Sequence, residues 1–138
     1  MPDWSYPLYE IAHLTGRVLF ALVFVLSGAS HLVNAEAMAG FAKSRGVPAP
    51  KAMTLLSGVM IIVGGVLVML GWHRFIGAGL LVVFLLPTAF VMHAFWKETD
   101  PGARMNEMAH FLKDIALAGA ALFMAYYAGG FWPLSFGH

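Results

Sequence analysis

The chain contains no cysteine, which excludes disulfides, thiolate metal sites, CxxC redox motifs and iron–sulfur ligation together. Any electron transfer would need a borrowed cofactor or a partner. Charge is nearly as scarce: 11% of residues are charged and 60% are hydrophobic, against about 25% and about 45–50% in soluble domains. A chain of 138 residues is enough for one domain, yet too short to hide that much apolar surface from water. Lipid is the solvent it suits. The net charge of +1 leaves no nucleic-acid footprint. The first ten residues lack a basic segment and a small-residue cleavage site, so no removable signal peptide is expected. Trp4, Tyr6 and Tyr9 there suit a headgroup-level aromatic belt.

What the chain does have is long apolar runs. Four spans are expected, at about residues 11–33, 53–70, 75–96 and 108–127. At about 1.5 Å per residue, each can cross or nearly cross a hydrocarbon layer of roughly 30 Å. The expected fold is all-α: a single integral membrane domain, a four-helix bundle over residues 1–138. Asn34–Lys51 should be a connector holding a short amphipathic interfacial helix, capped by Asn34, running through Ser44 and ended by Gly46, with Pro48 and Pro50 preventing its continuation. Ala37, Phe41 and Ala42 would face apolar matter, and Glu36, Lys43 and Arg45 water. It could also serve as a lid over the bundle mouth. Ser57, Gly64 and Gly71 recur every seven residues in span two, as do Gly58 and Gly65, which marks a close-packing helix. His73-Arg74 makes a tight turn and so forces spans two and three to be antiparallel neighbours. Pro87 should bend span three. KETDPGAR reads as a solvent-exposed loop and the AGGFWPLSFGH tail as interfacial. Lys43, Arg45, Lys51, Lys97 and Arg104 lie on one side, against Arg17 and Arg74 on the other. That bias puts the first set in the cytoplasm and both termini outside.

The ionisable groups within the spans carry the functional question. An ionisable residue at the membrane centre costs roughly 2.5–3.5 kcal/mol and is by default a functional-site candidate. Arg17, Phe24, Gly28 and His31 share one stripe of span one. His31, His93 and His110 end or begin three spans at the same membrane surface, where Glu107, Lys113 and Asp114 also lie. Glu107, His110 and Asp114 follow one helical face. Lys113 and Arg17 could snorkel to their surfaces. Asp114 is too short for that and needs a partner.

Three readings compete. The groups could fix helix register only. His31, His93 and His110 could hold a metal, but no HExxH, no i,i+4 histidine pair and no second Glu-x-x-His accompanies Glu107–His110. Third, they could line a polar pocket for a lipophilic molecule such as a quinone, with His and Asp passing protons.

GRVLFALVFVLSGASHL, SRGVP, LLPTAFVMHAFW and NEMAHFLKDIALAGAAL together resemble the DoxX family over about residues 14–125. The resemblance implies a bacterial inner-membrane four-helix protein. The family takes its name from a subunit of an archaeal membrane thiosulfate:quinone oxidoreductase. Other members look like membrane parts of redox-defence assemblies, and many have no assigned activity. The resemblance carries over Arg17, Gly28, His31, Pro87, His93, Trp96, Phe111 and Lys113. It departs at Asp114, where an amide is common in relatives, which puts a mechanism based on that charge in doubt.

The expectation is therefore a membrane subunit of a quinone-linked or oxidative-stress redox system, binding a lipophile near the cytoplasmic face. Ligand-binding candidates are His31, His93, His110, Lys113, Asp114, Glu107, Trp96 and Arg17. No metal is expected, and quinone is the one cofactor considered. The lipid bilayer, a redox partner protein and a homo-oligomer are the expected partners. The alternative is a non-catalytic membrane anchor or assembly factor.

Overall fold

The computed structural model describes residues 5–137. Trp4 and the side chain of Tyr6 lie outside the described part. Five α-helices follow one another: α1 (Ser5–Val33), α2 (Ala35–Ser44), α3 (Pro50–Leu70), α4 (Arg74–Met92) and α5 (Pro101–Tyr126). Short 3-10 turns occupy Phe95–Lys97 and Tyr127–Gly129. All but α2 are long and apolar enough to cross a membrane, so the molecule is an all-α integral membrane bundle with a short helix between the first two spans.

Local signals account for the helix ends. Pro50 and Pro101 open α3 and α5, where a missing N–H removes nothing from the helix ladder. The Asp100 carboxylate accepts from the Ala103 N–H at 2.8 Å. It thereby caps α5 well before Met108, and the expected KETDPGAR loop is half helix. Gly71, at φ +67°, ends α3, with Trp72 N–H donating back to the Leu67 carbonyl at 3.0 Å. Asn34 does not cap α2; its amide donates instead to Ser30 Oγ at 3.2 Å. α4 runs unbroken through Pro87.

α3 is the centre of the packing, with α1 against one side and α4 against another, while α5 packs on α4. Glycines set both α3 contacts. A Cβ on Gly28 would stand 2.6 Å from the Gly58 carbonyl oxygen, and one on Gly77 3.1 Å from that of Gly64. Backbones that close require the absence of side chains. Phe24, Ile61, Leu81 and Leu85, all but fully buried, fill the middle of the bundle. Alternating spans give two polar ends on either side of that apolar centre. One holds His31, His93 and His110; the other holds the α3–α4 turn and the C-terminal tail.

One expectation fails at the tail end. Arg17 does not snorkel: it is 3% exposed. It donates to the carbonyls of Met69 (3.0 Å), Pro133 (2.6 Å) and Leu134. The tail is accordingly held in place, with Phe131, Leu134 and Phe136 still exposed. It folds back over the bundle, buries Trp132 and Pro133, and receives further hydrogen bonds from Arg74 at the Gly130 and Gly137 carbonyls. The physical reason is that a buried guanidinium needs acceptors for its five N–H groups, and tail carbonyls supply them.

Candidate functional site

At the other end, α4 stops at Met92 and leaves His93 as its C-terminal cap, directed at α5. Glu107 and Asp114, seven residues apart on α5, lie about 10 Å from one another along the axis. The His93 ring lies between them. Its Nδ1 is 2.7 Å from Glu107 Oε2, and its Nε2 is 3.7 Å from Asp114 Oδ2. An ionised carboxylate only accepts, so the short contact places a proton on Nδ1. The longer one is within ion-pair range and short of a hydrogen bond.

Around this trio the other groups arrange themselves in order. The His110 ring stacks on that of His93, with centroids 5.0 Å apart and planes 21° off parallel. Lys113 Nζ sits 3.6 Å from Asp114 Oδ1 and 3.5 Å from His110 Nδ1. Glu107 Oε1 faces Arg45 Nη2 at 3.7 Å, and the same nitrogen donates to Glu98 Oε1 at 2.6 Å. A continuous series of ionisable groups thus leads from Glu98, in the loop before α5, to Asp114, whose side chain is only 6% exposed.

Beside the series lies an aromatic group from three elements. Phe90, Phe95, Trp96 and Phe111 make edge-to-face contacts with centroids 5.2–5.7 Å apart, apart from the looser 6.3 Å Phe90–Trp96 pair. Phe90 and Trp96 keep about half their surface open to the surrounding lipid.

Of the sequence candidates, the structure brings together His93, Glu107, His110, Lys113 and Asp114, and seats Trp96 in the adjoining aromatic group. His31 reaches the same membrane surface but a different partner set. Its Nδ1 is 3.0 Å from Ser57 Oγ and 3.3 Å from the Thr54 carbonyl, and its ring lies edge-on to Phe84. It has no contact with His93 or His110 among the described residues. Arg17 is at the opposite end. Among the described residues no three His, Asp or Glu side chains are grouped to hold a metal ion.

Arg45 and Glu98 belong to the series although the spacing of polar residues pointed Arg45 to water. Its side chain is 15% exposed. Ala37 is exposed, and the buried positions of α2 are Ala39 and Ala42. No local signal separates Arg45 from a solvated charge, because its partners come 53 and 62 residues later.

The family model for DoxX matches residues 12–94, more than half of the chain, taking in α1 to the His93 cap. The chain belongs to the DoxX family. It is also similar to "Inner membrane protein YphA" of Escherichia coli (strain K12), with 28% identity over 112 residues, 81% of this chain and 79% of that protein. No solved structure matches it.

Proposed function

We propose that this DoxX-family protein is an inner-membrane subunit of a redox system whose His93 end binds a quinone-like lipophile and exchanges a proton with it. The observation that carries the reading is the His93 ring set between Glu107 and Asp114. With Nδ1–H given to Glu107, the Nε2 lone pair faces a carboxylate oxygen. Two lone pairs facing each other in a nearly dry site repel. One proton between Nε2 and Oδ2 relieves this, whether it rests on the ring or on the carboxyl. That proton is exchangeable, and Glu107 and Glu98, bridged by the Arg45 guanidinium, lie between it and the membrane surface.

Cohesion is a poor account of the same groups. Polar pairs inside membrane bundles contribute only about 0.6 kcal/mol on average. That is small beside the cost of placing several ionisable groups there.

A quinone fits the residues present. Its ring can lie on the open faces of Phe90 and Trp96, while His110 and half-exposed Lys113 offer donors to a carbonyl oxygen. When bound, a quinone supplies two-electron, two-proton carrier chemistry. The protein's own part is to orient the carbonyl, limit water and hold the proton. With no cysteine, a partner protein would deliver the electrons.

Inner-membrane residence is carried over from YphA. The termini would face outward, supported by every exposed Lys and Arg lying at the His93 end. A reporter active only outside the cytoplasm, fused at the C-terminus, should therefore be active. A homo-oligomer would use the outer face of α5, where a Cβ on Gly119 meets nothing within 4 Å.

The experiment is purification in native lipid, followed by lipid extraction and infrared spectroscopy. Quinone should co-purify with the parent protein and fall about tenfold in His93→Gln, because the His110 ring that offers a donor stacks on the imidazole this variant removes. Asp114→Asn donates permanently to Nε2. It should retain quinone but remove the Asp114 contribution from the pH-dependent carboxyl absorption. Equal quinone in parent and His93→Gln, at the level of background lipid, would return the protein to the anchor or assembly reading.

A further inference from the structure

α2 crosses the His93 end and is attached to its surroundings in two unlike ways. Ala39 and Ala42 seat one face of it on α3, and the exposed Glu36–Lys51 ion pair ties it to the same helix. Its attachment to the other half of the bundle is Arg45, at its C-terminal cap. The guanidinium lies over the Phe41 ring, 5.0 Å from its centroid, and spans from Glu98 to Glu107. Its Nε is buried and has no hydrogen-bond partner. That leaves one donor of the guanidinium unused.

Both ends of α2 are irregular, although backbone hydrogen bonds from Asn34 to Ser30 (2.8 Å) and from Met38 to Asn34 (3.0 Å) run through the α1–α2 corner. Asn34 separates it from α1. Gly46, at φ +81°, follows Arg45 directly, and Ala49 takes φ +43° between Pro48 and Pro50. A non-glycine residue in the left-handed region is held there by its context rather than by preference. A short helix with two irregular ends, seated on small side chains, can swing when its far contact is released.

The geometry points to Arg45 as the clasp of a lid. The Arg45–Glu98 pair holds α2 closed over the Glu107–His93 contact, and Arg45 orients Glu107 by facing the oxygen that His93 does not use. Release of Glu98 lets α2 lift and opens the way to His93 from the membrane surface. The unused Nε–H is the donor left to steady a ligand oxygen on entry. What is admitted rests on the function proposed above; the swing of α2 does not.

The chain's lack of cysteine makes the test clean. Lys43→Cys on α2 and Lys97→Cys on the 3-10 turn, both at exposed positions, take a pair of spin labels in the full-length protein in lipid nanodiscs. Pulsed dipolar spectroscopy should give one narrow distance in the parent. A second, longer distance should appear in Arg45→Met, and likewise in Glu98→Gln, which keeps the size of the side chain and serves if Arg45→Met does not assemble. Arg45→Lys, able to reach Glu98, should restore most of the short distance. Exchange of added decylubiquinone should quicken about tenfold in Arg45→Met. Identical distance distributions in parent, Arg45→Met and Glu98→Gln overturn the lid. A lid that opens in a protein retaining no quinone leaves the clasp standing and removes only the proposed ligand.

Discussion

A single methyl group separates Gly28 from alanine, and the bundle has no room for it. The added carbon would stand 2.5 Å from Ile62 Cγ1 and 2.6 Å from the Gly58 carbonyl oxygen. The second of these is backbone and cannot turn aside. Gly28→Ala should destabilise by about 1–3 kcal/mol, the range for overpacking. Gly119→Ala, with open space around it, should be neutral or gain up to about 1 kcal/mol of helix propensity. Unfolding of both variants in mixed micelles checks the contrast. At this scale the sequence was readable where one helix supplied the pattern. The stripe from Arg17 through Phe24 and Gly28 to His31 does face inward, and Glu107 and Asp114 do share a face. It was unreadable where the partner lay far along the chain. Nothing near His31 announces Ser57, and nothing near Arg17 announces Pro133.

Among the elements, the tail shows how a distant partner reverses a local reading. A Gly/Pro-rich aromatic segment resembles an interfacial strip, and an arginine near a helix end resembles a snorkelling one. Together they form a closure. Trp132 packs edge-on to His13 and beneath the Arg74 guanidinium, while Arg17 holds the successive carbonyls of Pro133 and Leu134. Lysine has one nitrogen and cannot reach three carbonyls at once. Arg17→Lys should leave buried acceptors unmatched, at about 1–3 kcal/mol. It should also free the tail, seen as faster proteolysis between Gly130 and Gly137 with the helices intact. The helices themselves were readable because hydropathy and length decide them. Their ends shifted where a cap such as Asp100 recruited polar residues into the first turn.

For the whole molecule, the two polar ends are kept apart by Phe24, Ile61, Leu81 and Leu85, without a polar side chain among them. The protein reconstituted in vesicles loaded with a pH-sensitive dye should pass protons no faster than protein-free lipid. A flux above that leak would mean that the centre opens to water. The four-span architecture followed from composition alone, since no soluble fold could bury so many apolar residues in so short a chain. Of the arrangement, the tight His73-Arg74 turn made the α3–α4 pairing legible, while glycine spacing shows that helices approach closely without showing which others meet.

The greasy middle sets the energetics of any reaction at the His93 end. Were the proposed proton exchange to run there, with the partner's electrons delivered at the same face, uptake and release would share one aqueous compartment, and a complete turnover would move no net charge between the two faces of the bilayer. Such chemistry is electroneutral. It neither draws on the transmembrane voltage nor adds to it, and would proceed equally in an energised cell and a depolarised one.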